Sequence, residues 1–160
     1  MEPIVNLVVS DQFTNSVSEF NFNKITNTVL RHQEIAGLVE LSIVIEDDDY
    51  IRQLNKDYRG FDSATDVLSF PSDEFDPDSN SQYIGDIIIS FPMAQKQAQA
   101  SGHPVQNEIT LLAVHGILHL LGHDHETQQE KDIMWQAQSE ILNTLNCELG
   151  RIPGDEDDHL

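Results

Sequence analysis

Histidines are concentrated in one short stretch of the sequence, residues 115–125. Four of the chain's seven histidines lie there, namely His115, His119, His123 and His125. His115 and His119 are four residues apart, a spacing that places two imidazoles on one face of a helix, about 6 Å apart along its axis. Two such side chains can bind one metal ion, whose bonds to nitrogen are about 2.0–2.1 Å long.

A third ligand has to come from beyond this helical pair. His123 follows His115 by eight residues, about 12 Å along a continued helix, and is therefore too far away to share the ion. Gly122 can end the helix, and a turn at that position can bring His125 back toward the pair. The spacing therefore predicts the ligand set His115, His119 and His125, with His123 outside it.

Three imidazoles make a particular kind of metal site. They are neutral ligands that leave the ion its full charge and one open coordination position, which is typical of catalytic rather than structural zinc. Burying several histidines in an apolar stretch without a shared ligand would leave polar groups to satisfy. Nickel and copper also accept imidazole, so the pattern predicts one metal ion per chain, with Zn²⁺ expected.

The same spacing matches the long zinc-protease signature H-E-x-x-H-x-x-G-x-x-H. His115, His119, Gly122 and His125 take its histidine and glycine positions. Gly116, however, occupies the position of the glutamate that serves such proteases as general base. A glycine has no side chain to accept a proton, so the sequence argues against a zinc protease.

These residues also carry a resemblance to a known family. His115-Gly-Ile-Leu-His-Leu-Leu-Gly-His-Asp-His125 resembles the signature of the YbeY family, bacterial endoribonucleases that mature ribosomal RNA. Residues 54–59 with 65–71, and residues 84–87, are similar to the family's second and third blocks. Ala64 and His123 depart from the family pattern, which usually has proline and commonly has tyrosine at these positions.

The resemblance implies a fold and a function. The fold would be a zincin-like α+β domain, with a mixed sheet of about four strands and the metal in a cleft at the end of a buried helix. The function would be single-strand-preferring, zinc-dependent endoribonuclease activity in ribosomal RNA processing, at the 3′ end of the small-subunit RNA, and in ribosome quality control. Its partners would be single-stranded ribosomal RNA and the small ribosomal subunit with its proteins, and we expect no DNA. The alternative is a zinc-containing ribosome assembly factor without catalysis.

Basic residues in the second block add a candidate phosphate site. Arg52, Lys56 and Arg59 are spaced to form one stripe on a helix, and they are three of only eight basic residues in the chain. A solvated face paired with Asp48 or Asp49 is the alternative for the stripe. The resemblance gives Arg59 a functional role, and a guanidinium can hold a phosphate through two parallel hydrogen bonds. Arg59 and His115 are therefore the candidate catalytic residues.

Acidic residues near the signature are candidates for a supporting role. A metal-bound histidine needs a hydrogen-bond partner on its second ring nitrogen. Asp66, Asp86 and Asp124 are candidates for that role or for proton transfer, although each would equally suit capping a turn.

Charge and composition bound the remaining possibilities. The chain has 160 residues and a formal net charge of −20, which by itself argues against broad nucleic-acid binding. We expect one domain over residues 1–150 and a disordered acidic tail over 151–160. There is no apolar run long enough for a membrane span, the N-terminus does not resemble a signal peptide, and Cys147 is the single cysteine. These features predict a soluble cytoplasmic protein that does not associate with a membrane and has no internal disulfide.

Apolar periodicity predicts the elements that would position these groups. Strands are expected at residues 4–9, 39–45, 67–70 and 84–89, the third stopped by Pro71, with an exposed loop over 72–82. Helices are expected within 20–31, from 47 or 48 to 58, from 90 to near 102, from 104 to about 121 and from 127 to about 146. The fourth helix is apolar nearly all round its second half and should be buried.

Overall fold

A mixed four-stranded sheet forms the centre of the structure, a computed structural model that describes residues 2–147 and 149. The strands are β1 (Ile4–Val9), β2 (Val39–Glu46), β3 (Val67–Asp76) and β4 (Ser81–Ser90), in the spatial order β1-β2-β4-β3. β1, β2 and β4 run parallel, whereas β3 pairs antiparallel with β4 and forms an edge. The expected disordered tail at 151–160 lies outside the described residues.

Five α-helices accompany the sheet within the described residues. They are α1 (Phe22–His32), α2 (Asp48–Arg59), α3 (Phe91–Ser101), α4 (Val105–Leu120) and α5 (Gln128–Thr144). The expected helix starts are confirmed, because Asp47, Ser90 and Thr127 each accept a hydrogen bond from a backbone N–H of the first turn. The expected α+β class with a mixed sheet of four strands is confirmed.

The β3–β4 hairpin corrects one expectation. We expected β3 to stop at Pro71 and residues 72–82 to form a loop, but β3 continues through Pro71 to Asp76 and pairs with β4 along its length. Proline removes one backbone N–H donor, which an edge strand tolerates because only one of its sides is paired. The pairing register shifts between Pro71 and Glu74, so the strand absorbs the proline with a local irregularity.

Alternation along the strands separates the two faces of the sheet. On one face, buried isoleucines such as Ile43 and Ile87 join the main core, to which the apolar residues of α4 also belong. On the other face, Leu68 of β3 and Ile88 of β4 pack with Ile51 of α2. The metal-binding candidates on α4 and the basic residues on α2 therefore belong to opposite faces of one sheet.

Over the described residues, the structure has no helix with the length and apolar character that crossing a membrane requires.

Candidate metal centre

Helix α4 carries the histidine pair into the interior. His115 is 5% exposed, and the residues around it in the second half of the helix are almost entirely buried. His119, one turn later, is half-buried near the end of the helix. The i, i+4 spacing places both imidazoles on one side, with their ring centroids 4.7 Å apart.

A tight turn after α4 brings in the third imidazole. The backbone N–H of Gly122 donates to the carbonyl of His119, and that of His123 donates to the carbonyl of Leu118. This pair of hydrogen bonds is the Schellman motif, which needs a left-handed residue at its centre, and Gly122 supplies it with a φ of 102°. The chain reverses there, and the ring of His125 lies 5.0 Å from that of His119.

The three side chains form a group with the dimensions of a metal site. Each of His115, His119 and His125 offers one ligand nitrogen, and these nitrogens all lie within 4.8 Å of one another. The Nε2 atoms of all three rings are buried, and that of His119 has no hydrogen-bond partner among the described residues. A buried polar atom without a partner is costly, so this arrangement fits a bound cation.

Burial also sets the protonation state that a metal requires. Desolvation is the largest cause that lowers the pKa of His119, to about 4, and the neighbouring His125 lowers it further. His119 is therefore neutral near pH 7, the form in which imidazole coordinates metals. The donor set of three imidazoles without thiolate suits a catalytic zinc site.

Helix α5 supplies two neighbours that the sequence analysis missed. The Nδ1 atom of His115 lies 3.0 Å from Oε1 of Gln138, a buried residue. The ring of Trp135 lies 5.4 Å from His115 and 6.0 Å from His125. An amide oxygen that accepts from Nδ1–H leaves Nε2 of His115 as the ligand atom. Trp135 and Gln138 lie 10 and 13 positions beyond the end of the histidine signature, and no local pattern connects them to it.

His123 lies outside the group of three histidines, because α4 ends at Leu120 and the turn after it directs His123 elsewhere. Its Nε2 atom is 2.6 Å from Oε1 of Gln33, at the end of α1. Gln33 in turn contacts Nδ1 of His32, whose Nε2 atom is 2.8 Å from Glu140 of α5. His123, at the position where the family commonly has tyrosine, thus links the turn after α4 to α1 directly and to α5 through Gln33 and His32.

The three aspartates proposed as partners for the histidines have other described contacts. Asp124 accepts a hydrogen bond from the backbone N–H of His125 and so shapes the turn. Asp86 accepts from the hydroxyl of Tyr83. Asp66 is buried, with Thr65 as one donor. The hydrogen-bond acceptor described for the second nitrogen of His115 is the neutral Gln138, which sequence spacing could not indicate.

Gly116 faces the sheet. A Cβ atom built on it would lie 2.9 Å from Cγ2 of Ile87, closer than side chains tolerate. The position where a zinc protease carries its glutamate is thus filled by helix–sheet packing. This geometry gives a physical reason for the glycine and leaves no room there for a general base.

Arg59 lies at the end of α2, on an exposed part of the surface. Its guanidinium lies 5.3 Å above the ring of Phe61, and Nη1 is 3.4 Å from Oδ1 of Asn55. Asn55 is buried and also donates to the carbonyl of Ser63, so it ties Arg59 to the loop after α2. Asn55 and Phe61 are supporting residues that the sequence analysis did not identify.

The other cations of the predicted stripe differ from Arg59. Arg52 forms an exposed ion pair with Asp62, at 2.7 Å, rather than with Asp48 or Asp49. This pair raises the pKa of Arg52 and lowers the pKa of Asp62, chiefly through their hydrogen bond. Lys56 is exposed. The structure thus brings the three histidines together around α4 and places the arginine candidate on α2.

Comparisons with known proteins identify relatives of this chain. The model of the family described as Endoribonuclease YbeY matches residues 8–146. A relative from Persephonella marina with the same description is 39% identical over 149 residues, which is 92% of this chain and 95% of that protein. One from Acholeplasma laidlawii is 45% identical over 125 residues, covering 78% and 87%.

A solved structure shares the fold. The match to the solution structure of TM1509 from Thermotoga maritima covers 97% of this chain and 97% of that chain, with a TM-score of 0.58 and 22% sequence identity. At that identity the likeness concerns the arrangement of helices and strands.

Proposed function

This chain belongs to the endoribonuclease YbeY family, and from that premise we propose that it is a zinc-dependent endoribonuclease that prefers single-stranded RNA. The observation that carries the proposal is the group formed by His115, His119 and His125, whose ligand nitrogens lie within 4.8 Å of one another in a buried setting. A bound zinc ion would supply Lewis acidity toward a phosphate oxygen and would lower the pKa of a coordinated water.

The protein side chains have separate roles in this proposal. His115, His119 and His125 hold the ion, and Gln138 fixes the tautomer and orientation of His115. Arg59 binds the scissile phosphate and stabilises the negative charge that builds on its oxygens during cleavage. Phe61 and Asn55 contact the guanidinium of Arg59 and restrict its motion. The side chain therefore loses less conformational freedom when it binds a phosphate.

The biological setting is proposed by extension. We place the activity in ribosomal RNA processing, at the 3′ end of the small-subunit RNA, and in ribosome quality control. A chain of net charge −20 repels naked RNA, so contacts with proteins of the small subunit would have to supply part of the affinity. We propose a cytoplasmic location and one domain over residues 1–150, of which the structure describes 2–147 and 149.

The test compares metal-free, zinc-loaded and His115→Ala protein on three substrates. We expect zinc-dependent cleavage of single-stranded RNA, slower cleavage of duplex RNA and no cleavage of unfolded casein. The His115→Ala protein should be inactive on all three. Zinc-dependent casein cleavage with intact RNA would replace the proposal with a protease, and ribosome binding without RNA cleavage would favour an assembly factor.

A further inference from the structure

An aromatic pocket lies on the α2 face of the sheet, outside the metal centre. It has a volume of about 360 Å³ and is bounded by α2, β3 and β4. Its lining includes Tyr50, Leu54, Tyr58, Phe70, Asp86 and Ile88. The pocket thus combines apolar and aromatic walls with one carboxylate, a composition typical of small-ligand sites.

Two of the aromatic walls are exposed to solvent. Tyr50 is 45% exposed and Tyr58 is 71% exposed. The ring of Tyr58 meets Phe70 edge to face, with the centroids 5.4 Å apart. Large exposed aromatic side chains at the mouth of a cavity provide flat apolar surfaces on which another ring can stack.

The carboxylate in this pocket is oriented by a hydrogen-bonded pair behind it. The hydroxyl of Tyr83 donates to Oδ1 of Asp86 and lies 2.7 Å from the hydroxyl of Ser42. Burial and the hydrogen bond to Asp86 raise the pKa of Tyr83 to about 12, so Tyr83 stays a donor. Among the residues that the structure describes, no other donor to Asp86 is found. A ligand with two N–H groups can therefore bond to Oδ2 and to the second lone pair of Oδ1 of this residue.

We propose that this pocket binds a guanine base of the RNA substrate, stacked against Tyr58 and hydrogen-bonded to Asp86. The inference deepens the proposed endoribonuclease function and rests on it. A carboxylate accepts hydrogen bonds only, and guanine presents two neighbouring N–H groups, N1–H and N2–H, on its Watson–Crick edge. Adenine and cytosine offer one amino group beside an acceptor nitrogen, and uracil offers one N–H between two carbonyls. The match with Asp86 therefore favours guanine.

The pocket and helix α4 lie on opposite faces of the same part of the β3–β4 hairpin. Ser69 of β3 points toward α4 and donates to the carbonyl of Gly116, whereas the next residue, Phe70, lines the pocket. Gly85, beside Asp86, lets Leu120 of α4 approach closely, since a Cβ there would be 2.8 Å from its Cδ2. Because β3 is an edge strand, a single RNA strand can pass around it from one face to the other.

Two cations lie on the same helix as Tyr58. On α2, Lys56 is two residues before Tyr58 and Arg59 directly follows it, in a chain with only eight basic residues against twenty-eight acidic ones. Arg59 also stacks on Phe61. A phosphate next to the bound base can contact Lys56, while Arg59 binds the scissile phosphate as proposed above, and both contacts offset part of the repulsion from the rest of the surface.

The binding experiment uses the zinc-loaded full chain and needs no cleavage. Calorimetric titration with GMP, AMP, CMP and UMP measures the base preference, and short single-stranded RNAs carrying one guanine, inosine or adenine test it in a strand. We expect guanine to bind about tenfold more tightly than adenine, with inosine in between because it lacks the N2 amino group. Asp86→Asn should abolish the preference for guanine, and Tyr58→Ala should weaken the binding of all four nucleotides at least about fivefold.

Phe75→Ala is the matched control, because Phe75 is also an exposed aromatic residue of β3 but does not line the pocket. It should leave the guanine preference unchanged. Equal binding of the four nucleotides, or a preference that survives Asp86→Asn, would overturn the proposal. Loss of small-subunit binding in the pocket variants, with no base preference in the wild type, would instead identify a protein-docking site. RNA cleavage without base preference would refute guanine binding in the pocket and leave the endoribonuclease function standing. Absence of any RNA cleavage would refute the endoribonuclease function itself.

Discussion

Gly116 of α4 lies against Ile87 of β4, so closely that a Cβ atom on the glycine would be 2.9 Å from Cγ2 of the isoleucine. Ile87 is fully buried, and its Cγ1 and Cδ1 atoms are also within 3.2 Å of that position. The helix that carries His115 and His119 is therefore set against the sheet by a contact that only glycine allows.

This contact predicts that Gly116→Ala destabilises the protein. Overpacking costs about 1–3 kcal/mol, whereas alanine gains up to about 1 kcal/mol of helix propensity, so we expect a net loss of about 1–2 kcal/mol in denaturant unfolding. In an Ile87→Ala background the clash is removed, and the same glycine substitution should become neutral or stabilising. Ile87→Val keeps Cγ2 and should give no such relief. An unchanged cost in the Ile87→Ala background would contradict the packing argument.

Substitution of single histidines tests the ligand assignment. His119→Ala should lose the metal because two imidazoles hold zinc poorly, whereas His123→Ala should keep about one zinc per chain, since His123 bonds to Gln33. Elemental analysis measures the content. Fluorescence of Trp135, the single tryptophan in the chain, reports binding directly because its ring is 5.4 Å from that of His115. Full zinc occupancy in His119→Ala would refute the assignment.

Gln138→Ala should weaken zinc binding without removing a ligand. Loss of the acceptor at Nδ1 of His115 frees the ring to rotate and to change tautomer, and such outer contacts typically contribute 10- to 100-fold in metal affinity. Competition with a chromophoric chelator measures the change. Ser139→Ala, on the exposed side of the same helix, is the control and should bind zinc like the wild type. Equal zinc affinities of the Gln138→Ala and Ser139→Ala proteins would show that Gln138 does not support the metal site.

Arg59→Glu should lower kcat/KM for RNA by about 100-fold or more, since one donor to a developing oxyanion is worth about that much. Arg59→Lys should restore only part of the activity, because an ammonium cannot form two parallel bonds to a phosphate. Zinc content should stay at the wild-type level in both. Arg31→Glu, an equal charge change on the exposed side of α1, is the control. Wild-type cleavage by Arg59→Glu would exclude the phosphate role.

Cys147 should react slowly with thiol reagents in the folded protein. Burial, with a further contribution from Glu108, raises the pKa of its thiol to about 11. Because the reactive form is the thiolate, the rate at pH 8 should be far below that of the urea-unfolded chain and should rise about tenfold per pH unit. Similar rates in both states would contradict this.

The same shift predicts a pH dependence of stability. The folded pKa of Cys147 is above the value of 9.0 for an unperturbed thiol. The contribution of this thiol to the free energy of unfolding is therefore fully present below pH 9. That contribution is lost as the pH rises from about 9 to about 11, because the unfolded chain releases the proton first. Cys147→Ser should show a smaller loss of stability over this range.

The histidine signature was readable in the sequence because it is local. Spacings of four residues on a helix and a glycine at its end determine geometry within a few ångströms, whatever the rest of the chain does. The strand and helix positions were predictable for the same reason, since periodicity and caps act over neighbouring residues. The full length of the β3–β4 hairpin was not predictable, because proline commonly ends a strand and only the sheet order shows that β3 is an edge strand, where proline is tolerated.

Tertiary structure decided what surrounds the signature. Gln138 and Trp135 reach the histidines because α5 packs beside α4, and nothing in their local sequence predicts that contact. The sequence placed Gly116 where a protease has its glutamate, but the physical reason for glycine is Ile87, 29 positions away. Sequence patterns thus determined which residues are candidates for the chemistry. Their partners were decided by packing, because contacts between distant segments depend on the fold of the whole chain.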